Sequence, residues 1–134
     1  MRSFSAGIHI LVQKGNKYLI LKRSFNDPED PGSWDLPGGG IKFNEQPLVA
    51  AVREAKEEAG IKVEATKIIA LWAMLWRGKW SIESIIQGKY LSGAIKLSVE
   101  HIDYQWVSRR EMEPIKPKSI HLKTLLKKPF SRWF

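Results

Sequence analysis

A mixed α/β fold, with helices laid over one sheet, is predicted by three features of this 134-residue chain. β-patterned stretches fill its opening part. A single long amphipathic helix pattern follows, and β-patterned stretches then resume before a short terminal helix. The resulting order, β-β-β-α-β-β-β-β-α, implies a mixed sheet covered by helices. At 43% apolar content the chain can bury one core, so residues 1–134 are read as a single domain. No internal repeat or low-complexity segment suggests a linker.

The elements follow in order. From Ser5 to Gln13, alternation of Ile8, Ile10 and Val12 against His9, Leu11 and Gln13 reads as a strand, and Gly15-Asn16 turns it back. Lys17–Arg23 is a second strand. A long loop, Ser24–Pro37, is punctuated by Pro28, Pro31, Gly32 and Pro37, and loops of that length tend to carry function. A short segment, Gly40–Phe43, leads to Asn44, read as an N-cap, and a helix from Glu45 to Ala59 stopped by Gly60. Two apolar strands, Ile61–Trp76 and Trp80–Leu91, flank an Arg77-Gly78-Lys79 turn. Shorter strands are expected at Ile95–Val99 and Tyr104–Val107. Ser108 and Glu111 form a capping-box pair for a turn stopped by Pro114, and Ser119–Lys127 is a last helix.

Composition narrows the chemistry. There is no cysteine, which removes disulfides and thiolate metal sites, and His9, His101 and His121 show no ligand spacing. Any metal site is therefore expected to use oxygen ligands. The longest apolar run, Ile68–Trp76, is far short of the roughly 20 residues of a membrane span, and the amino terminus lacks a signal-peptide layout. A cytoplasmic protein without membrane contact is the expectation. The net charge of +8 favours polyanions, and much of it falls on a basic stretch from Arg109 to Arg132, read as a solvated helix face and tail.

The chemistry concentrates in Gly39–Ile61, GGIKFNEQPLVAAVREAKEEAGI. It fits G-x5-E-x7-R-E-U-x-E-E-x-G-U, with U apolar, at Gly39, Glu45, Arg53, Glu54, Ala55, Glu57, Glu58, Gly60 and Ile61. Chance agreement at all of these is on the order of one in 10⁹ per register. At 100° per residue, Glu54, Glu57 and Glu58 share an arc of about 100°, with Leu48, Ala51, Val52, Ala55 and Ala59 gathered on the neighbouring edge. Like charges at these spacings each destabilise a helix by about 0.2–0.5 kcal/mol, so a divalent cation is the natural compensation. With only oxygen ligands, Mg²⁺ or Mn²⁺ suits the site better than Zn²⁺.

This string resembles the signature of the Nudix hydrolases, and the strand order extends the resemblance over nearly the whole chain. It implies the Nudix fold, an α/β/α sandwich with a mixed sheet, and metal-dependent hydrolysis of a diphosphate linkage in a nucleoside diphosphate derivative. Glu54, Glu57 and Glu58 would bind metal, and the Gly38 carbonyl would complete its shell. Arg53 would hold Glu57, with Glu45 behind it. By similarity to the MutT-like branch, Glu100 would be a further ligand or the general base in rivalry with Glu54, and Arg23 would bind substrate phosphate. Trp34 would either stack on a base or anchor the loop.

A (deoxy)nucleoside triphosphate pyrophosphohydrolase is the reading reached by elimination. The proline of ADP-ribose branches is missing from Ala73–Gly78, and the tyrosine of dinucleoside polyphosphate branches is missing between the box and Tyr90. The alternatives are those two substrates or a silent module binding RNA or protein, although the complete set of carboxylates opposes silence. Prenyl diphosphate isomerases use a cysteine that this chain lacks. A small-molecule nucleotide is thus the expected partner, nucleic acid is not favoured, and a homodimer is compatible with the tryptophans around Arg77.

Overall fold

A computed structural model describes residues 3–134. Its strands are β1 (Phe4–Lys14), β2 (Lys17–Arg23), β3 (Trp34–Asp35), β4 (Gly38–Gly40), β5 (Lys62–Trp76), β6 (Lys79–Ser92) and β7 (His101–Val107). The helices are α1 (Pro47–Ala59), α2 (Arg109–Met112) and α3 (Ile120–Leu126), followed by a 3-10 turn at Phe130–Arg132. All seven strands belong to one sheet of order β3-β2-β1-β6-β5, with β4 also beside β1 and β7 beside β2. The β1–β6 pair is parallel and the others are antiparallel, which makes the sheet mixed.

Side-chain alternation divides the sheet's two faces into two cores. Ile8, Ile10, Val12 and Ile86 face α1 and meet Ala50, Ala51, Ala55 and Ala59. Leu11, Tyr18, Ile20 and Ile85 face the other way and meet Met112 of α2, Leu122 and Leu125 of α3, and Trp133. This is the expected α/β/α sandwich. The β5–β6 hairpin closes through Arg77 and Gly78, both at positive φ (51° and 75°), the two-residue geometry whose twist matches the flanking strands.

Several expected boundaries move. α1 begins at Pro47 rather than Glu45, with Gln46 at the N-cap position, and Asn44 sits at φ 64° in a turn, so it does not cap the helix. Proline at the first helical position sets the start. Gly60 ends α1 as expected, at φ 72° with its N–H donating to Lys56 O at 3.0 Å. Ile95–Val99 does not form a strand; its N–H groups at Lys96 and Ser98 donate instead to the Ala59 and Glu58 carbonyls at the end of α1. β7 starts at His101, three residues earlier than expected, β3 lies inside the Ser24–Pro37 segment read as loop, and β4 comes mostly ahead of the short segment expected at Gly40–Phe43.

Trp34 is buried in the core, and its backbone ties the loop to the chain before α3: its N–H donates to Pro117 O and its carbonyl accepts from Ser119 N, both at 2.9 Å. Nor is the basic C-terminal stretch a free tail. Trp133 is fully buried, its ring edge-on to Tyr18 at 5.0 Å, with the Arg109 guanidinium over it at 4.5 Å and Gln87 Nε2 donating to its carbonyl at 2.7 Å. The residue closes the lower core as a plug. Trp133→Ala should therefore cost about 3–5 kcal/mol, measured by urea unfolding; a loss within experimental error would refute the plug.

Candidate active site

α1 reaches the sheet through small residues, and its carboxylates come with it. Alanines at positions 50, 51, 55 and 59 let the helix lie close to β1, while Leu48 and Val52, expected on the buried edge, stay partly exposed. The buried arc is consequently shifted towards Glu54 and Glu58, only 8% and 6% exposed. Two glycines make room. A Cβ on Gly39 would stand 2.7 Å from Glu54 Oε1, and one on Gly38 would stand 2.3 Å from the Ile8 carbonyl. Glu58 Oε1 accepts from Gly38 N at 2.7 Å, joining helix to strand.

Arg53 organises the next layer. Its Nε and Nη2 donate to the two oxygens of Glu45 at 2.7 and 2.8 Å, a bidentate pair, and Nη2 also donates to the Gly40 carbonyl at 2.9 Å. Nη1 reaches Glu54 at 2.8 Å and Glu57 at 3.1 Å. These hydrogen bonds hold the Glu45 carboxyl down at about 2. Glu57 is the exposed member of the three box carboxylates, its side chain 52% accessible.

Glu58 has no such partner. Burial, with Glu100 and Glu54 close by, pushes its carboxyl up to about 10 in spite of the Gly38 N–H, and burial also raises Glu54. Glu100, although in the loop before β7, brings an oxygen to the same point: ligating atoms of Glu58, Glu100 and His101 lie within 4.8 Å of one another. Crowded oxygen donors that hold a proton for want of a counter-charge suit a hard divalent cation, which would take the proton's place. The expected residues Glu58 and Glu100 thus come together beside Gly38, Glu54 lies against Gly39, and Glu57 is tethered nearby through Arg53.

Beside them opens a cavity of about 830 Å³, a size suited to a nucleotide-like ligand. Gly38, Glu58 and Glu100 line one part of it; His9, Glu83, His121 and Trp76 line another. The latter four come from β1, β6, α3 and β5, and no spacing in the sequence joins them. The available signal was Glu83 itself, a charged residue at an inward position among Ile82, Ile85 and Ile86. His9 and His121 stack at 3.5 Å, and His121 Nε2 lies 2.6 Å from Glu83 Oε1. His101 was likewise unforeseen; burial lowers its pKa and keeps the ring neutral.

Arg23 lines the cavity, but its fork is occupied: Nε and Nη2 donate to Asp35 Oδ2 at 3.0 and 2.6 Å, and Nη1 faces Asp27 at 3.3 Å. Asp35 is buried, and burial alone would raise its carboxyl, yet His9, His121 and Arg23 hold it well below the usual range. Trp34 faces the core and does not line the cavity, which removes it as a stacking platform.

The state of Glu58 has a thermodynamic consequence. A carboxyl at about 10 in the fold and 4.5 in the unfolded chain makes the metal-free protein lose stability as pH climbs from 4.5 towards 10, because the unfolded chain ionises first. In chelator, Glu58→Gln should melt higher than wild type at neutral pH and show a flatter pH dependence. Added divalent cation should stabilise wild type and not the variant. Thermal melts from mildly acidic to alkaline pH check this; equal slopes would refute the buried, proton-holding carboxyl.

Comparison with known proteins agrees with this geometry. The family model described as NUDIX domain matches residues 1–128. A MutT-like protein of Streptomyces ambofaciens is 27% identical over 77% of this chain and 62% of its own length. An RNA pyrophosphohydrolase of Erythrobacter litoralis is 28% identical over 72% of this chain and 56% of its own. The chain therefore spans under two thirds of these relatives. The crystal structure of a MutT protein from Methanosarcina mazei superposes with a TM-score of 0.82 at 28% identity, covering 94% of this chain and 92% of that one. With the family model matched along almost its entire length, and the box carboxylates set against a glycine strand, the chain belongs to the Nudix family.

Proposed function

We propose that this domain hydrolyses a diphosphate linkage in a nucleoside diphosphate derivative, with a nucleoside triphosphate cleaved to the monophosphate and pyrophosphate as the first candidate, using Mg²⁺ or Mn²⁺. The observation that carries the reading is the convergence of Glu58 and Glu100 beside Gly38, with Glu54 against Gly39, at the edge of a nucleotide-sized cavity. Glu54, Glu57, Glu58 and the Gly38 carbonyl would hold the cation, with Glu100 as a further ligand or as the base. The cation supplies neutralisation of the phosphate oxygens and a more acidic bound water. Arg53 positions Glu54 and Glu57 through its hydrogen bonds. Glu100 is the better candidate for the base that takes the proton from water, since Glu54 is already engaged by Arg53.

The group attached to the diphosphate is proposed to reach Glu83. Two carboxylates flank the stacked histidines, and their accounts differ. Asp35 is saturated: Oδ1 accepts from Leu36 N and Ser119 Oγ, both at 2.7 Å, and Oδ2 accepts twice from Arg23. Among the described residues Glu83 accepts from His121 at 2.6 Å and Ser81 at 2.5 Å, which leaves about two of a carboxylate's four acceptor sites for a ligand N–H. Lys79 at the rim adds positive charge for phosphate, whereas Arg77 there is paired with Glu29 at 3.0 Å. The names of the relatives, a MutT-like protein and an RNA pyrophosphohydrolase, are compatible with a free or RNA-terminal triphosphate.

A panel of nucleoside triphosphates, ADP-ribose, dinucleoside polyphosphates and 5′-triphosphorylated RNA, with and without Mg²⁺ or Mn²⁺, tests the assignment. Glu58→Gln should lower kcat at least a hundredfold, on the order expected for loss of a metal or acid–base group, with folding intact. Hydrolysis of nothing on the panel, together with RNA binding unchanged in Glu57→Gln and Glu58→Gln, would overturn catalysis in favour of a binding module. Glu83→Gln should instead raise KM by roughly tenfold, the size of one lost hydrogen bond to a charged group, and leave kcat close to wild type. A kcat defect with unchanged KM would remove Glu83 from substrate recognition.

A further inference from the structure

The sheet face covered by α1 is left bare at its far end. The register places Phe4, Trp80 and Leu75 in one cross-strand row and Ala6, Ile82 and Ala73 in the next, with Ser84 and Leu71 behind. These positions share the face on which Ile8 and Ile86 meet α1, but the helix does not extend over them. Phe4, Leu71, Leu75, Trp80 and Ile82 are between 48% and 70% exposed. No charged residue occupies these rows among the described residues.

A second observation concerns the neighbouring edge. β5 ends the strand order of the sheet, and from Ile68 to Trp76 it carries neither a charge nor a proline. Exposed edges are usually blunted by such residues, because unpaired backbone groups otherwise recruit another strand. Here an open, uncharged edge borders an open, uncharged face.

We infer that this surface joins two copies of the chain, with the 71–75 stretch of β5 from one copy against the same stretch of the other across a two-fold axis. Three arguments select a second copy. Five large side chains, each roughly half to two-thirds exposed, offer roughly 500–600 Å² of apolar surface; backbone and the small residues bring this near the roughly 800 Å² per partner of a stable interface. A two-fold contact must be self-complementary, and a face without charge meets its own image without repulsion. Finally, the rest of the chain carries a net +8, so an anionic partner would be steered to the lysines and arginines rather than to this neutral face. Trp76, Arg77 and Lys79, at the tip of the same hairpin, line the cavity, so the dimer also steadies one cavity wall. The inference does not depend on the proposed reaction.

Sedimentation velocity with light scattering on the intact chain, across a dilution series at low and high salt, gives the test. The expected mass is twice the 15.4 kDa of the chain, falling on dilution. The dimer fraction should rise with salt, because screening weakens repulsion between two +8 chains. Leu75→Lys and Trp80→Lys should each halve the mass with an unchanged circular dichroism spectrum, whereas Phe134→Lys, also at an exposed aromatic but outside the patch, should not. Ala73→Cys, in a chain otherwise without cysteine, should give a covalent dimer on oxidation. A wild-type mass equal to one chain at every concentration would overturn the inference. So would a dimer that survives both lysine substitutions. Monomers that bind phosphatidylcholine vesicles through Leu75 would assign the face to a membrane instead and overturn it equally. If one lysine variant fails to fold, the wild-type mass and the other variant decide.

Discussion

One short hydrogen bond, from Gly38 N–H to the Glu58 carboxylate, couples the helix that carries the chemistry to the sheet that positions it. It exists only because β4 is made of glycine. At Gly38 a side chain would collide with the Ile8 carbonyl and the His9 ring, and at Gly39 it would displace the Glu54 carboxylate. Backbone therefore approaches backbone on one side and carboxylate on the other, at distances no substituted residue permits. The alanine edge of α1 is the complementary half of the same constraint. Larger apolar residues at 51 or 55 would lift the helix and withdraw Glu54 and Glu58 from the strand.

Such an arrangement is held in place against its own electrostatics. Burying carboxylates in one place opposes ionisation of each, and the fold answers in two ways. Glu54 and Glu57 share Arg53, which is itself fixed by a bidentate pair with Glu45. Glu58 receives no cationic side chain among the described residues and holds a proton instead, which makes it the place where a divalent ion would gain most by binding. Packing in the alanine core supplies the stability that this local conflict withdraws.

The box was legible because its information is local. Helical periodicity puts Glu54, Glu57 and Glu58 on one edge without reference to the rest of the chain, and Gly60 stops the helix by its own backbone freedom. Boundaries that depend on tertiary partners were less legible. Asn44 has the chemistry of an N-cap but is turned away at positive φ, and Ile95–Val99 has strand composition but spends its backbone donors on the end of α1. The group formed by His9, Glu83 and His121 was illegible for a stronger reason: it depends on the parallel β1–β6 register and on where α3 docks, and neither is encoded in the spacing of those residues.

That difference in legibility follows the division of labour within the cavity. In the proposed reaction, the end built from Glu54, Glu58, Glu100 and Gly38 would meet the diphosphate, which is the same in every substrate of this reaction class, so a local motif is sufficient to build it. The opposite end, which would meet whatever is attached to the diphosphate, is assembled from four separate elements. Asp35 there is closed, with every acceptor site satisfied by Arg23, Leu36 and Ser119, and so it braces the floor. Glu83 is open, and a change of partner at Ser81 or His121 alters what it can accept without disturbing Asp35 or the helix. Under the proposed reaction, the physical separation of a saturated carboxylate from an unsaturated one would let substrate choice vary while the phosphate chemistry stays fixed.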